Sequence, residues 1–494
     1  MNRQLVRLFV VIAAGFVLLL GFTTYWQLWA SSSLAARQDN LHEVVREQSI
    51  DRGRILTANG EVLAKSVPRN TADGRRIYVR RYPHGPVYAQ VTGYSSPTSN
   101  RSGLEQSQND YLTGSNSDLS GVLARELHSI TGGVVKGNDI VTSLAPAVQS
   151  AAYEGLKATG HPGAAVAIEP STGRVVALAS WPTYNPNAAV RGTPAWVKAL
   201  HASDGPLLDR VTQGRYPPGS TFKVITTAAA LESGKYTPAS SFTDPGTFLE
   251  YGQAIHNDNG ERFSGSFDLG FALTKSINTV FAQIGATLCP RDRCPLLQQA
   301  MARFGFYRAP QIGLPSNQVV ASGLADPDHP GRLLPPNGRL DPARTAIGQY
   351  TLQVTPLQMA MVSAAIANAG VLMRPSLVDR VVGPGGRTIT TTKPASDGRA
   401  VSATGASELA TMMGNVVKDG TGTAAALAGV SVAGKTGTAQ TSRPGLNDAW
   451  FIAFAPQESP RIAVAVVVED TPQYGGQVAA PIARKIIQAY LKSR

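Results

Sequence analysis

A serine placed just after helix-breaking residues, with a lysine one helical turn further on, can act as a nucleophile that carries its own base. The segment Tyr216-Pro217-Pro218-Gly219-Ser220-Thr221-Phe222-Lys223 has that form. Proline and glycine oppose helix before Ser220, and Ser233-Gly234 mark a stop, so the spacing predicts a helix beginning at Ser220 and ending at Gly234. Its threonine and valine content is poor for an isolated helix, so burial of Phe222, Val224, Ile225, Ala228 and Leu231 must hold it. A serine at the positive end of the helix dipole is favoured as alkoxide, and Lys223 shares its face. Desolvated there, the lysine amine loses its proton easily and serves as base. The competing reading makes Ser220 a helix cap and Lys223 a solvated side chain, and Ser-x-x-Lys arises by chance roughly once in a chain this long.

Two further motifs follow in order: Lys275-Ser276-Ile277-Asn278-Thr279, and Gly434-Lys435-Thr436-Gly437-Thr438-Ala439-Gln440. Ser-x-Asn alone carries nothing, since Ser107-Gln108-Asn109 also matches. The ordered set is the signal, because Ser-x-x-Lys and Lys-Thr-Gly each occur once.

These residues need a scaffold. Ala164 to Ile168 and Arg174 to Ala179 read as strands joined by Glu169-Pro170-Ser171-Thr172-Gly173, while Val432 to Thr441, Ala449 to Ala455 and Arg461 to Glu469 read as three more near the chain end. Helical patterns fill much of 195 to 420, and an amphipathic helix, Ala480 to Leu491, closes the chain. Two strands, a long helical insertion, three strands and a helix imply an α+β domain whose antiparallel sheet is completed by distant residues. Before it, Asp51 to Ala64 reads as a hairpin about Asn59-Gly60, Leu119 to Ile130 has helical spacing, and Asp139 to Leu144 reads as a strand leading into a helix from Ala145 to Lys157. Gly383 to Ser396 reads as a low-complexity loop.

With 494 residues, 43% hydrophobic and 16% charged, the chain is an ordinary globular one, which excludes wholesale disorder, collagen-like repeats and multi-span membrane folds. A net charge of +12 favours anionic surroundings without choosing among them. Arg3 and Arg7 precede an apolar run from Leu8 to Trp29, long enough to cross a bilayer of roughly 30 Å. Both charges lie before it, so the positive-inside rule places the N-terminus in the cytoplasm and the body outside, with Tyr25, Trp26 and Trp29 at the outer interface. Ala30 to Ala36 supplies small residues for cleavage, but the run exceeds the apolar core of a signal peptide, which favours an uncleaved anchor. Cys289 and Cys294 are a close pair in an exported chain and read as a local structural disulfide; no histidine lies nearby to complete a metal site.

With these motifs in place, the sequence resembles the penicillin-recognising serine enzymes, and more closely the class B penicillin-binding proteins that cross-link peptidoglycan. Arg52-Gly53-Arg54-Ile55, Gly103-Leu104-Glu105, Tyr184-Asn185-Pro186-Asn187, Gly348-Gln349 before Thr355-Pro356-Leu357, and Trp450-Phe451 also look like that family's pattern. Its short N-terminal region and arginine- and alanine-rich usage are similar to actinobacterial members. The departure is Ile277, where many relatives carry a polar or small residue; its side chain is expected to point away from the pocket. The resemblance implies a five-stranded antiparallel sheet with helices on both faces and a helical subdomain, occupying residues 159–494. Ahead of it come a cytoplasmic stub and signal anchor, 1–30, and a small mixed dimerisation or pedestal-like domain, 31–158.

The resemblance further implies roles. Ser220 attacks the carbonyl between two terminal D-alanines of a stem peptide, on lipid-linked or nascent glycan, and Lys223 accepts its proton. Backbone N–H groups of Ser220 and Thr438 form the oxyanion hole, each donor worth about 3 kcal/mol. Ser276 and Lys435 relay the proton to the departing D-alanine, Asn278 holds the peptide amide, and Thr436, Gly437 and Thr438 receive the donor as an added strand and bind its terminal carboxylate. An acceptor amine then takes the acyl group. β-Lactams acylate the same serine. The implied partners are the membrane, a membrane glycosyltransferase and division proteins, with no nucleic acid, no organic cofactor and no metal.

A Ser-His-Asp hydrolase using His256 and Asp258 is disfavoured, because Ser220 lacks a Gly-x-Ser-x-Gly setting and His256 to Gly260 reads as a turn. A penicillin sensor or β-lactamase shares all three motifs but needs neither anchor nor extra domain. Residues 30 to 160 leave no room for a polymerase domain. An inactive scaffold is opposed by the intact motifs.

Overall fold

The computed structural model describes residues 2–25, 48–97, 100–115, 134–289, 294–329, 331–335 and 340–493. The spacing of Leu119 to Ile130, with Trp26, Trp29 and the small residues 30 to 36, lies outside them. The first helix, Asn2–Tyr25, contains Val6–Tyr25, twenty residues with mean hydropathy 2.4 and none of it buried in the protein. At 1.5 Å per residue it matches a hydrocarbon core of about 30 Å. Its hydroxyl at Thr23 donates to the Leu19 carbonyl at 2.8 Å, so the polar group brings no unmet hydrogen bond into an apolar stretch.

Five antiparallel strands form the main sheet, in the spatial order Ala433–Gln440, Asn447–Ala455, Ile462–Thr471, Gly163–Ile168, Val175–Trp181. Ile462–Thr471 is central, which is why Ala463 to Val468 is apolar without alternation: both faces are covered. One face packs against Pro146–Lys157 and Gly475–Lys492, with Val148, Leu156, Ile482 and Ile486 fully or nearly buried. The other face carries the larger core, with Pro356–Ala367 across the sheet. Every hydrophobic residue from Leu357 to Ile366 is buried, so this helix has no polar stripe to show solvent. The closing helix starts at Gly475, five residues before the start read from its spacing, because the first turn includes Gly475 and Gly476 in close contact with neighbouring backbone.

The second sheet has six strands, in the order Thr388–Thr391, Val378–Val382, Asp139–Thr142, Ile55–Leu56, Val62–Asn70, Arg76–Arg81. The hairpin about Asn59-Gly60 forms as read, pairing Ile55 with Ala64. Two of the strands come from far along the chain: Val381 pairs with Ile140, and both are buried. Part of the segment read as a low-complexity loop is therefore a strand, because Thr388–Thr391 folds back on Val378–Val382, leaving the turn at Gly383 to Arg387. Arg174 ties the two sheets together, meeting Asp379 through Nη2 at 2.6 Å and Glu169 through Nη1 at 3.0 Å. The helix Pro146–Lys157, on the N-terminal side of a division at 158, packs on the main sheet.

Behind the hairpin, Glu105 is fully buried between two guanidiniums: Arg52 Nη2 at 2.9 Å and Arg80 Nε in direct contact. These cations outweigh the cost of burial and hold its carboxyl below the usual range. Tyr82 Oη donates to the same carboxylate at 3.2 Å and accepts from the Ser95 N–H at 2.8 Å.

Candidate active site

Ser220 does not open an α-helix. Gly219–Phe222 form a 3₁₀ turn, and the α-helix proper is Lys223–Glu232. Two glycines explain the tighter turn. Gly219 has φ of +52°, and a Cβ there would lie 2.6 Å from the Thr438 carbonyl oxygen. Gly348 has φ of +78°, its N–H belongs to a tight turn, its carbonyl accepts from Gly219 N–H at 2.9 Å, and a Cβ would fall 1.9 Å from the Gly219 oxygen. From the other side Gly437 admits the Pro218 carbonyl at a similar closeness. The serine turn is thus clamped between the edge strand and the Gly348 loop. Trp450 completes the clamp by donating its indole N–H to the Pro217 carbonyl at 3.0 Å, with the Tyr216 ring edge-on against it.

The structure brings together the three motifs. Lys223 and Lys435 are completely buried, and Ser276 lies between them, its Oγ 3.2 Å from Lys223 Nζ and 2.9 Å from Lys435 Nζ. Lys223 Nζ also donates to the Ser276 carbonyl at 2.7 Å and to Asn278 Oδ1 at 2.6 Å. Lys435 Nζ donates to the Thr436 carbonyl at 3.1 Å. Desolvation lowers the Lys223 pKa to about 7, with Asp258 opposing the shift. Lys435 is pushed well below the ordinary lysine range, chiefly by desolvation and further by the charge of Lys223. Two amines that share one hydroxyl cannot comfortably both be charged, so a proton held by one weakens the hold of the other.

Ser276 owes its position to a helix end. Leu269–Lys275 stops at Ser276, which has φ of +60° and ψ of +40°, and Asn278–Leu288 starts two residues later. A non-glycine residue in that region costs about 1 to 2 kcal/mol. Surrounding contacts over-determine it, including Ile277, which is fully buried in the core and turned from the pocket as expected. Cys289 and Cys294 are disulfide-bonded, with Cα atoms 4.0 Å apart, and join the end of Asn278–Leu288 to the start of Pro295–Arg303.

Above the lysines lies a cavity of about 340 Å³ reached by Ser220, Ser276, Thr436, Gly437 and Thr438. Its far wall includes Asp258, which sequence reasoning placed only in a discarded triad. The His256 ring is exposed, with Nδ1 3.2 Å from Thr247 Oγ1, far from the role of a base for Ser220. Instead this segment supports Asn278, whose Nδ2 donates to the His256 carbonyl at 3.0 Å and to Asp258 Oδ1 at 3.1 Å. Tyr474 was also missed; its hydroxyl donates to Asn259 Oδ1 at 2.9 Å, and both residues line the cavity. Neither carries a sequence signal beyond standing near a turn. Lys435 lies on Ala433–Gln440, which among the described residues pairs on one side only, with Asn447–Ala455. The other edge is free to receive an extended peptide.

A buried serine, two neutralisable lysines and an open strand edge define a class, an acyl-transferring serine enzyme that takes peptide-like ligands. Comparison with known proteins gives the family. Residues 163–488 match the penicillin binding protein transpeptidase domain, and 52–140 match the penicillin binding protein A dimerisation domain. The chain belongs to the penicillin-binding protein transpeptidases, as a class B member. It is similar to Peptidoglycan D,D-transpeptidase PbpA of Mycolicibacterium smegmatis, 38% identical across 100% of this chain and 99% of that one. The protein of the same name from Mycobacterium tuberculosis is 36% identical over 100% of this chain and 99% of its own. The ceftriaxone acyl-enzyme structure of M. tuberculosis penicillin-binding protein A superposes with a TM-score of 0.81 at 35% identity, covering 90% of this chain and 100% of that one. Its imipenem acyl-enzyme gives 0.80 over 90% of this chain and 99% of that one.

Proposed function

We propose that Ser220 is the nucleophile through which this chain acts as a peptidoglycan D,D-transpeptidase and reacts with β-lactams. The observation that carries the assignment is the buried Lys223, held at about 7 by desolvation and hydrogen-bonded to Ser276 and Asn278 one turn from Ser220. Near neutral pH an appreciable fraction of this amine is unprotonated and can take the Ser220 proton as Oγ attacks the carbonyl between the two D-alanines. The backbone N–H groups of Ser220 and Thr438 receive the developing oxyanion, on two segments whose backbones touch at Gly219 and Thr438. As the tetrahedral intermediate collapses, the C–N bond breaks and the departing D-alanine amine takes a proton through Ser276 from Lys223 or Lys435. An acceptor amine attacks the Ser220 ester and gives up a proton by the same route; the ester C–O bond breaks, that proton passes to Ser220 Oγ, and the free serine is restored with a new amide formed.

Asn278 has its oxygen on Lys223 and its nitrogen on Asp258, so in the free enzyme it positions the base, and its turn to the peptide amide follows ligand entry. Thr436 and Thr438 bind the terminal carboxylate near Lys435. Residues 31–158 act as a pedestal and dimerisation region for the catalytic domain 159–494, available to a membrane glycosyltransferase and division proteins. The first helix anchors the chain uncleaved, with Arg3 and Arg7 cytoplasmic and the catalytic domain outside. Labelling with fluorescent penicillin tests the nucleophile. Ser220→Ala is expected to abolish covalent label with an unchanged unfolding midpoint, and label retained on another serine overturns it.

A further inference from the structure

Far from Ser220 in sequence context and function, a second cleft opens between the strands Val62–Asn70 and Arg76–Arg81 and the short helix Pro186–Arg191. Asn187 fixes this junction, accepting from Tyr82 N–H at 3.0 Å and donating to the Tyr82 carbonyl at 2.8 Å. The cleft measures about 310 Å³ and adjoins a hollow of about 400 Å³ that shares Arg69, Arg80 and Arg191.

Among the described residues, its charges do not balance. Arg52 and Arg80 lie in its wall, both nine-tenths or more buried, and Arg69 and Arg191 stand exposed at its rim. The carboxylate they touch is Glu105, with Asp51 acting on Arg80 at longer range. Among the described residues, Arg52 Nε and Arg80 Nη2 are buried and meet no hydrogen-bond partner. A buried guanidinium N–H left unmet is costly, and such a group calls for an acceptor such as a water or a bound ion. Among the described residues, neither Arg69 nor Arg191 forms a salt bridge. Ser66 and Ser95 add hydroxyl groups to the lining.

We propose that this cleft is a binding site for a phosphate-bearing anion, a phosphomonoester or diphosphate group. Arginine forks match the oxygens of phosphate, and an anion of two charges with three or more acceptor oxygens satisfies several guanidiniums that a planar, singly charged carboxylate leaves partly unmet. Gln48, where the described chain resumes after the membrane helix, lines the same cleft. The phosphate therefore comes from a lipid headgroup or from a soluble phosphate-bearing molecule, and the test separates the two.

The full chain, reconstituted in nanodiscs of phosphatidylcholine, is titrated with inorganic pyrophosphate by calorimetry. Saturable binding is expected, weakened about tenfold by Arg69→Gln and by Arg191→Gln separately and lost in the double variant. Labelling of Ser220 by fluorescent penicillin stays at the wild-type rate in each, because both residues lie outside the Ser220 cavity and on the surface. Weaker apparent pyrophosphate binding in nanodiscs containing phosphatidylglycerol assigns the site to a lipid headgroup; equal binding assigns it to a soluble ligand. Absence of saturable binding in the neutral nanodiscs, or equal affinity in the double variant, overturns the proposal.

Discussion

Replacing Asp258 by asparagine isolates the electrostatic control of Lys223. Asp258 Oδ1 lies 3.1 Å from Asn278 Nδ2, and Asn278 Oδ1 lies 2.6 Å from Lys223 Nζ, so the two charges are separated by one primary amide, about 7 Å. With an effective dielectric constant between about 20 and 40, that separation is worth about 1 to 2 kcal/mol, and exposure of Asp258 with salt screening favours the lower figure. The carboxylate raises the Lys223 pKa, opposing desolvation, so its loss moves the value from about 7 toward about 6. Asparagine keeps an oxygen to accept from Asn278, leaving the geometry in place. If neutral Lys223 is the base, acylation follows its unprotonated fraction. At pH 6 that fraction rises from about one tenth to about one half, so Asp258→Asn acylates about fivefold faster there, while at pH 8 the two enzymes differ by about a tenth or less. Stopped-flow labelling with fluorescent penicillin across about pH 5.5 to 9 reads both the midpoint and the plateau. A midpoint that stays put or moves to higher pH refutes the reasoning, and a lowered plateau with no movement makes Asp258 structural only.

Three further substitutions probe the scaffold. Gly348→Ala places a Cβ 1.9 Å from the Gly219 oxygen in a left-handed conformation, so acylation should fall by more than about tenfold, checked by the same labelling rate. Burial holds the Asp448 carboxyl up at about 7, with like charge from Glu469 and Asp470 adding to it, against about 3.9 in the unfolded chain. That raised value is no handicap near pH 4 and a growing one as pH climbs through 7, so Asp448→Asn should be neutral near pH 4 and stabilising by about 2 to 4 kcal/mol at pH 8, read from denaturant unfolding. Glu105→Gln leaves Arg52 and Arg80 buried without their counter-charge and should destabilise by about 3 to 5 kcal/mol in the same assay.

What was legible in the sequence was whatever lies within one element or one motif. The five main strands could be read because their burial is continuous or alternating along each strand, and the Lys435 strand could be placed third because strand order along the chain needs no tertiary knowledge. Ser220, Lys223, Ser276, Asn278 and Lys435 were named from three short motifs, and the structure gathers Lys223, Ser276, Asn278 and Lys435 into one hydrogen-bonded group beside Ser220. Val378–Val382 escaped because its reason for being a strand is Asp139–Thr142, more than two hundred residues away, with which it pairs. Asp258 escaped for the same reason: its partner is the Asn278 amide, and nothing within the turn from His256 to Gly260 records that contact.

The 3₁₀ turn at Ser220 shows how a local rule can point to the right residue through incomplete geometry. Pro217-Pro218-Gly219 does oppose helix, but what sets the serine's position is the contact of three glycines from separate segments, Gly219, Gly348 and Gly437. The helix dipole begins at Lys223 in this arrangement, so less of the activation of Ser220 falls to the dipole and more to the two lysines. Both amines are held toward neutrality by the same burial that excludes water from their neighbourhood. A lysine that is neutral in the fold and charged when unfolded binds fewer protons in the native state, so Lys223 makes the fold steadily less stable as pH falls from about 10 to 7, and Lys435 acts in the same direction. The base needed at Ser220 and the stability lost in burying Lys223 and Lys435 are thus one physical fact, and the core that buries the helix from Lys223 to Ala230 offsets that loss.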